Sequence, residues 1–491
     1  MATEIELKLR LDPKNVRKLL AHPVLAGIAS QKQHLLNTYY DTPELALRAR
    51  RIAMRFRKKG WQWLLTVKSA EPASGGLAIR NEWETNATPG VFDFSHVDAP
   101  ELRTMLETAR DDLEAVFTTD FRRQLWQVPC GESLIEMAVD RGGIAARGRR
   151  EAICEVELEL LSGRIEDIFT LTRQLQQHIN LHPAIASKAE RGYRLFLNEP
   201  ERPFRAKPLP IHAGQTPVAA FRTIALGCLE HFQRNESALL AGGAPEFIHQ
   251  ARVALRRLRS AIKLFAPVLP EDFVAAYGQS WKTLAGALGE ARNWDVFLEE
   301  TLPPIHAAFP HNHDIHRLRN EARRRVKAAR RSIVRLLAVK EYPRLMVEFT
   351  AAVHALTDSR PVALKTFAKE RIAAHTRSAR KMAEQYADLN AEERHIMRLR
   401  FKKLRYAMEF MAPLLPTRHM KTYLTALGRL QEALGLINDQ VTAELLINEA
   451  LGQKSATAAH GWVAGRQEIL VTYIPAALAD WLKAHDRMAE Q

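Results

Sequence analysis

Cysteine is scarce: Cys130, Cys154 and Cys228 are the only three in 491 residues, and none stands in C-x-x-C spacing. That excludes a cysteine-rich zinc site and suits a reducing compartment, with the three thiols as buried bystanders. Long apolar runs are missing too. The longest, such as Ile474 to Leu478, are far too short to cross a bilayer, and Asp12 and Lys14 break the N-terminal stretch before a signal-peptide core can form. A soluble, cytoplasmic protein without a membrane partner is expected. Collagen-like and low-complexity composition are absent, and 46% apolar with 26% charged residues argues against a mostly disordered chain. The length favours at least two separately cored units.

What is present in excess is positive charge, and it is unevenly placed. Residues 1–200 hold 28 basic and 27 acidic side chains, so +14 of the net +15 lies in residues 201–491. Such asymmetry points the second part at a polyanion, be it nucleic acid, polyphosphate or an acidic membrane surface. Pro200, Pro203, Pro208, Pro210 and Pro217 block helix and central strand alike, which predicts a first domain over 1–200, a linker over 201–216 and a second domain over 217–485. Period-two alternation predicts strands at Glu4–Leu11, Ala53–Lys58, Trp63–Ser69, Arg80–Thr85 and Ile153–Leu160, with helices at Asn15–Ala21 and Ile165–His178. Past the linker, apolar residues recur at three and four, as in Phe221, Ala225, Leu229 and Phe232, so an all-α region is expected. That region repeats at an offset of 146: His249, Arg252, Arg256, Arg257, Leu258 and Arg259 map onto His395, Arg398, Lys402, Lys403, Leu404 and Arg405, and Ala266–Pro270 onto Ala412–Pro416. Two tandem helical bundles, at about 217–355 and 363–485, are the reading.

The predicted strands put charge of both signs on one face. Glu4, Glu6, Lys8 and Arg10 alternate with Ile5, Leu7, Leu9 and Leu11; Arg55 and Arg57 flank Phe56; Glu82 and Glu84 flank Trp83; Glu155, Glu157 and Glu159 oppose Cys154, Val156 and Leu158. A solvated face explains any one strand. Three glutamates at i, i+2 and i+4 repel unless a cation sits between them, so neutralising one is expected to raise stability. A closed barrel collecting both signs in its lumen suits a metal–polyphosphate complex, since hard divalent ions prefer carboxylate and phosphate oxygens and Arg forks clamp phosphate.

These residues, with Thr38-Tyr39-Tyr40-Asp41-Thr42, Leu65-Thr66-Val67-Lys68, Arg80-Asn81-Glu82-Trp83-Glu84 and Ser187-Lys188 in the same order, resemble the CYTH or triphosphate tunnel metalloenzyme family over about residues 1–200. The resemblance implies an α+β domain, an antiparallel eight-stranded tunnel with flanking helices, that cleaves triphosphates with Mg²⁺ or Mn²⁺. It implies Glu4, Glu6, Glu155 and Glu157 as metal ligands and Lys8, Arg55, Arg57, Lys68, Arg80 and Lys188 as the phosphate cradle. Glu82, Glu84 and Asp140 become supporting groups, and a carboxylate or the Lys8–Tyr39 pair the candidate catalytic base, with Tyr40 able to hold the tyrosine's place. Glu159 faces the same way beyond the pair. One ion would neutralise phosphate charge and a second would lower the pKa of an attacking water. His34 and His96, without ligand spacing, read as solvated or core histidines.

In the helical part His249, Arg252, Arg256 and Arg259 form one stripe, and His395, Arg398, Lys402 and Arg405 repeat it, with no run of acids to relieve repulsion. With Leu288-Gly289-Glu290-Ala291-Arg292-Asn293-Trp294-Asp295, these stripes resemble the CHAD family over about 215–485, which implies inorganic polyphosphate as partner. Asn293 stands where that family usually has Asp, and Asn438-Asp439 lacks the arginine, so the turns there are expected to bind anions less than the stripes do. Nucleic acid is set aside because the basic helices lack interleaved aromatics and show no helix-turn-helix signature. The leading reading is an inorganic triphosphatase making pyrophosphate and phosphate, with a polyphosphate-binding module and a location at polyphosphate granules. Adenylate cyclase, nucleoside or thiamine triphosphatase on the same tunnel, or a non-catalytic polyphosphate binder, are the alternatives.

Overall fold

Strands β1 (Ala2–Leu11), β2 (Ser30–Asp41), β3 (Ile52–Lys59), β4 (Gln62–Ser69), β5 (Leu77–Asn86), β6 (Glu114–Cys130), β7 (Ser133–Ala146) and β8 (Arg149–Ser162) follow in chain order, with the short β9 at Leu181–Pro183. The computed structural model describes residues 2–69, 73–358, 362–415, 418–452 and 455–489; Met1 and the repeat position Pro416 lie outside them. The strands pair in the order β5-β4-β3-β2-β6-β7-β8-β1, and β5 pairs again with β1, which closes eight strands into an antiparallel barrel with β9 appended to β1.

The barrel reverses the usual distribution of polarity. Its apolar residues point outward and are covered by helices, while its charges point into the lumen. Leu7, Leu9, Leu11, Val139, Val156 and Leu158 pack under the helix Ile165–His178 through Ile168, Phe169, Leu171 and Leu175. Each such fully buried aliphatic side chain contributes roughly 1.5–3 kcal/mol. A second outer layer, Met54, Phe56, Leu65, Val67 and Trp83, is closed by Phe94, Val97 and Leu106. The helix Lys188–Leu197 covers a third sector, and Gly192 permits its approach, since a Cβ there would lie 2.1 Å from the Phe117 ring.

The chain divides into two compact units, one of residues 1–202 with 338–355 and one of residues 203–337 with 356–491. The helix Glu341–Ala355, which the repeat places in the first helical half, therefore packs with the barrel. The second unit is helical. Its helices Pro245–Phe265 and Ala391–Met411 begin and end 146 residues apart, as the sequence repeat does, and each runs into a 3₁₀ turn, Ala266–Val268 or Ala412–Leu414. Starts are set locally: the Thr216 hydroxyl accepts from Ala219 N before Pro217, and Asn390 with Glu393 forms a capping box. Among the described residues no helix is long and apolar enough to cross a membrane.

Candidate functional site

Alternation along β1 and β8 turns Glu4, Glu6, Lys8, Glu155, Glu157 and Glu159 to the lumen, and the antiparallel register sets Lys8 opposite Glu157 and Glu6 opposite Glu159. The lumen carboxylates Glu4, Glu6, Glu82, Glu84, Asp140, Glu155 and Glu157 each meet a cation. The Lys68 ammonium lies 2.9 Å from Glu4 and 3.0 Å from Glu82. Lys8 lies 3.3 Å from Glu157 and 3.7 Å from Glu6, and Arg80 lies 3.8 Å from Glu6. Arg55 and Arg57 stand 3.9 Å from Glu82 and Glu84, and Glu84 also accepts from Thr66 Oγ1 at 2.8 Å. The row of glutamates is thus interleaved with cations, so the gain in stability expected from neutralising one does not follow.

The densest part of the network lies on β7, β8 and the start of the helix Lys188–Leu197. Asp140, Glu155 and Glu157 each offer an oxygen within 4.8 Å of the others. Ser187 caps that helix, accepting from Glu190 N, which places Lys188 at its first position with its ammonium 2.6 Å from Asp140, 2.6 Å from Glu155 and 2.8 Å from Glu157. Arg123 of β6 forks onto Asp140 with two 2.8 Å bonds and also contacts Glu157. Arg191 reaches Glu155 at 3.0 Å. The neighbouring charges shift the protonation equilibria. Burial opposes ionisation of Glu157, yet Lys188, Lys8 and Arg123 hold its carboxyl well below the usual range, and against burial Lys188 and Arg123 lower that of Asp140. Burial likewise opposes the charge on Lys8, but Glu6 and Glu157 raise its pKa. Glu6 is pushed up by burial and Glu157, and Glu159 is pushed up to about 7 by burial and Glu4. Arg57 is pulled down to about 10 by burial, Arg55 and Arg123.

All fourteen predicted tunnel residues therefore join one network, with two corrections. Tyr39 does not pair with Lys8: its hydroxyl accepts from Arg55 at 3.2 Å, and Arg55 outweighs burial to lower its pKa. Tyr40 cannot replace it, because its ring packs outward against Phe56 and Phe92. The metal set also divides. Glu155 and Glu157 cluster with Asp140, whereas Glu4 is held by Lys68, and Glu6 joins Glu157 only through Lys8. Arg123, Asn37 and Arg191 were missed. Strand β6 carries polar residues on both faces, with Asp120 and Arg122 exposed and Thr119 and Arg123 turned in, so no alternation marks it. Asn37, which accepts from Arg57 at 2.9 Å, had only its neighbours in the Thr38–Thr42 block as a signal. The oxygen-only donors Asp140 and Glu155, both buried, and Glu157, half-buried, fit a hard divalent cation. His34 pairs with exposed Asp120 at 2.6 Å, Cys130 and Cys228 are buried, and Cys154 is half-buried.

In the helical unit the two basic stripes do converge, but only at their middles. Arg252 is pulled down to about 10 by burial, Arg256, Arg398 and Arg292, and Lys402 to about 7 by burial, Arg398, Arg256 and Arg252. Arg252, Arg256, Arg398 and Lys402 from two helices share one site, with Arg292 and Asp439 beside them and Arg252 donating to Asn293 at 3.1 Å. The ends of the stripes differ. His395 is exposed, Arg405 pairs with Glu409 at 2.6 Å, and His249 borders the cluster with its pKa lowered by burial and Arg292. Arg259 sits instead with Lys263, whose pKa it lowers after burial, and with Lys403. Asn293 and Asn438-Asp439 lie within the long helices Glu271–Val296 and Met420–Leu451, not in turns.

A closed antiparallel tunnel lined by both charges, followed by a helical repeat with a convergent basic cluster, defines a two-part class, and sequence comparison agrees part by part. Residues 2–193 match the CYTH domain and residues 223–448 match the CHAD domain, so the chain carries a CYTH domain followed by a CHAD domain. It is 32% identical over 206 residues to an inorganic triphosphatase of Haemophilus influenzae, a match spanning 40% of this chain and 55% of that protein. It also resembles the crystal structure of the CHAD domain from the plant Ricinus communis, at 32% identity and a TM-score of 0.50, over 57% of this chain and 97% of that one.

Proposed function

We propose that the chain is a divalent-metal-dependent inorganic triphosphatase that hydrolyses triphosphate to pyrophosphate and phosphate, and that its helical unit binds inorganic polyphosphate. The observation that carries the reading is the lumen itself: Lys8, Arg55, Arg57, Lys68, Arg80, Arg123 and Lys188 line a closed barrel together with the carboxylates Asp140, Glu155 and Glu157. A site that only stored an anion has no use for those carboxylates. Asp140, Glu155 and Glu157 hold the cation, with Glu4 and Glu6 further along β1. Mg²⁺ or Mn²⁺ bound there supplies charge neutralisation and acidifies water.

The chain's own residues do the rest. Arg55, Arg57 and Arg80 present planar forks to phosphate oxygens, and Lys8 and Lys68 present point charges, so the triphosphate is held extended along the lumen. Positioning and electrostatic stabilisation carry phosphoryl transfer, and no nucleophilic side chain is assigned. Tyr39, held by Arg55, serves the cradle. Glu82 and Glu84 keep the cradle arginines aimed into the lumen. In the helical unit Arg252, Arg256, Arg398 and Lys402 form the polyphosphate contact, flanked by His249, Arg259, His395 and Arg405. The test is phosphate release from triphosphate, ATP, thiamine triphosphate and long polyphosphate, each with and without Mg²⁺ and Mn²⁺. Metal-dependent release from triphosphate exceeding all others is the expected result, and a preference for ATP or thiamine triphosphate would move the assignment to those substrates.

A further inference from the structure

The barrel unit contains one helix that is remote in sequence, Glu341–Ala355, and it packs against the helix Ile165–His178 and against β9, the short strand paired with β1. Val347 is fully buried in the same core as Leu7 and Leu9, the outward-facing neighbours of Glu6 and Lys8. Arg344 donates to the carbonyl of Gln176 at 2.8 Å, and Asn180 donates to the carbonyl of Ala338 at 3.1 Å, so the segment is pinned at both ends of the chain turn that leads into β9.

A second contact is more specific. The turn before β5 contains Gly75 and Gly76 at φ +63° and +87°, conformations that favour glycine. The carbonyl of Gly76 accepts from Lys8 N at 2.9 Å, and a Cβ on Gly76 would stand 2.8 Å from the Lys8 carbonyl, which itself accepts from Ala184 N at 2.9 Å. A Cβ on Gly75 would stand 1.9 Å from Thr350 Oγ1 and 2.7 Å from its Cγ2. Thr350 is fully buried and its hydroxyl donates to Met346 O at 2.7 Å, so it is held in place by its own helix. The helix thus abuts a glycine turn whose next residue is bonded to the backbone of the lysine that pairs with Glu157.

We propose that Thr350 is a positioning residue for Lys8: it seats the Gly75–Gly76 turn, and the turn fixes the backbone of β1 where Lys8 enters the lumen. The inference rests on the functional reading above, which makes Lys8 a substrate contact. Misplacement of a reacting group by about 1 Å costs up to about a hundredfold in rate, so a small movement of the turn is enough to be measured.

The test uses full-length Thr350→Leu, which enlarges the side chain facing Gly75, Thr350→Ala, which withdraws it, and Thr350→Val, which keeps its shape. Hydrolysis of triphosphate, calorimetric affinity for triphosphate with Mg²⁺, and melting temperature are measured on each. The expected result is a fall in kcat of at least about fivefold in Thr350→Leu and Thr350→Ala, with a smaller loss of affinity, and wild-type behaviour in Thr350→Val. Should Thr350→Leu not fold, Thr350→Ala carries the test, because alanine suits the helix. A lowered melting temperature with wild-type kcat and affinity in Thr350→Ala would mean a merely structural contact and overturn the proposal. If the wild type binds triphosphate but does not hydrolyse it, the functional reading falls while affinity still decides this one. A wild type that neither binds nor hydrolyses triphosphate removes both.

Discussion

The two units handle positive charge in opposite ways. In the tunnel each cation has an acidic partner, so Lys8 and Lys188 have raised pKa values and Glu157 a lowered one despite burial. In the helical unit four cations share a half-buried site with Asp439 among them, and the values of three of them fall, Arg252 to about 10, Lys402 to about 7 and Arg398 below its ordinary value. The difference predicts how each meets a polyanion. A ligand entering the tunnel must replace existing ion pairs, which makes binding selective for a partner that brings both phosphate and metal. A polyanion reaching the helical cluster relieves repulsion that is already there, which asks only for regularly spaced negative charge.

The largest test is Glu157→Gln. Glu157 meets Lys8, Lys188 and Arg123, so the variant is expected to lose hydrolysis by about a hundredfold or more, the scale for removing one preorganised electrostatic group. It should also lose stability, on the order of 3 kcal/mol, because three buried cations lose their shared partner. The sign follows from linkage: Glu157 and Asp140 have folded pKa values below their unfolded ones, so their stabilisation is present above the unfolded value and lost as pH falls through the folded one. Melting curves between pH 3 and 7 should therefore show a weaker acid-side decline in Glu157→Gln than in wild type. Greater stability in the variant at neutral pH would show that the lumen is repulsive after all.

Replacing Arg252, Arg256, Arg398 and Lys402 together by Glu tests the other side. Charge-assisted contacts contribute about 1.5–3 kcal/mol each, so four reversals should reduce long-polyphosphate affinity by more than about a hundredfold. Triphosphate turnover should persist. Its loss in a folded quadruple variant would mean that the two charge arrangements serve a single site. Wild-type binding should weaken steeply with salt, and tighter binding of mixed-sequence RNA than of polyphosphate at matched salt would favour nucleic acid.

Legibility in the sequence followed the same division. Lumen residues on β1, β3, β5 and β8 could be read because charge and apolar residues alternate strictly there, and a two-residue period has one structural meaning. Strands β2, β6 and β7 escaped that pattern, and Arg123 with them, because β6 is polar on both faces. The repeat located the two helices that carry the helical cluster, since the offset of 146 holds at both of their ends. It could not tell which stripe positions meet: helical spacing fixes a face, whereas the crossing of two helices selects Arg252, Arg256, Arg398 and Lys402 and leaves Arg405 with Glu409. Nor does periodicity reveal that Glu341–Ala355 packs with the barrel, because its apolar face looks the same whichever core it fills.

A smaller effect sharpens the contrast inside the tunnel. Arg57, 3.9 Å from Glu84 and pulled down to about 10 by burial and neighbouring arginines, is the lumen cation that most resembles the helical cluster, whereas Lys68 is gripped by Glu4 and Glu82 at 2.9 and 3.0 Å. Both Arg57→Ala and Lys68→Ala should weaken triphosphate binding by about tenfold, with the metal requirement less affected. Arg57→Ala should raise the melting temperature of the ligand-free protein by relieving Arg55 and Arg123, while Lys68→Ala should lower it by taking the ammonium from Glu4 and leaving Glu82 with Arg55 at 3.9 Å. A shift in metal requirement alone, with unchanged dependence on triphosphate, would remove both from the cradle.

The smallest effect concerns Lys402, whose pKa of about 7 is set by burial and then by Arg398, Arg256 and Arg252, with Asp439 opposing them. A bound polyanion favours the ammonium, so its pKa rises in the complex and binding takes up a proton. Affinity is then full below about pH 7 and declines as pH rises from there toward the bound value. His249, which borders the cluster, has its pKa lowered by burial and Arg292, away from that window on the acid side. Long-polyphosphate affinity measured at constant ionic strength should therefore drop by about threefold to tenfold between pH 6.5 and 8. Lys402→Arg, which cannot lose its proton in this range, should flatten the profile and bind as tightly at pH 8 as wild type does at pH 6.5. An unchanged slope in Lys402→Arg would place the titrating group elsewhere and would show that the helical cluster, like the tunnel, holds all of its cations charged before a ligand arrives.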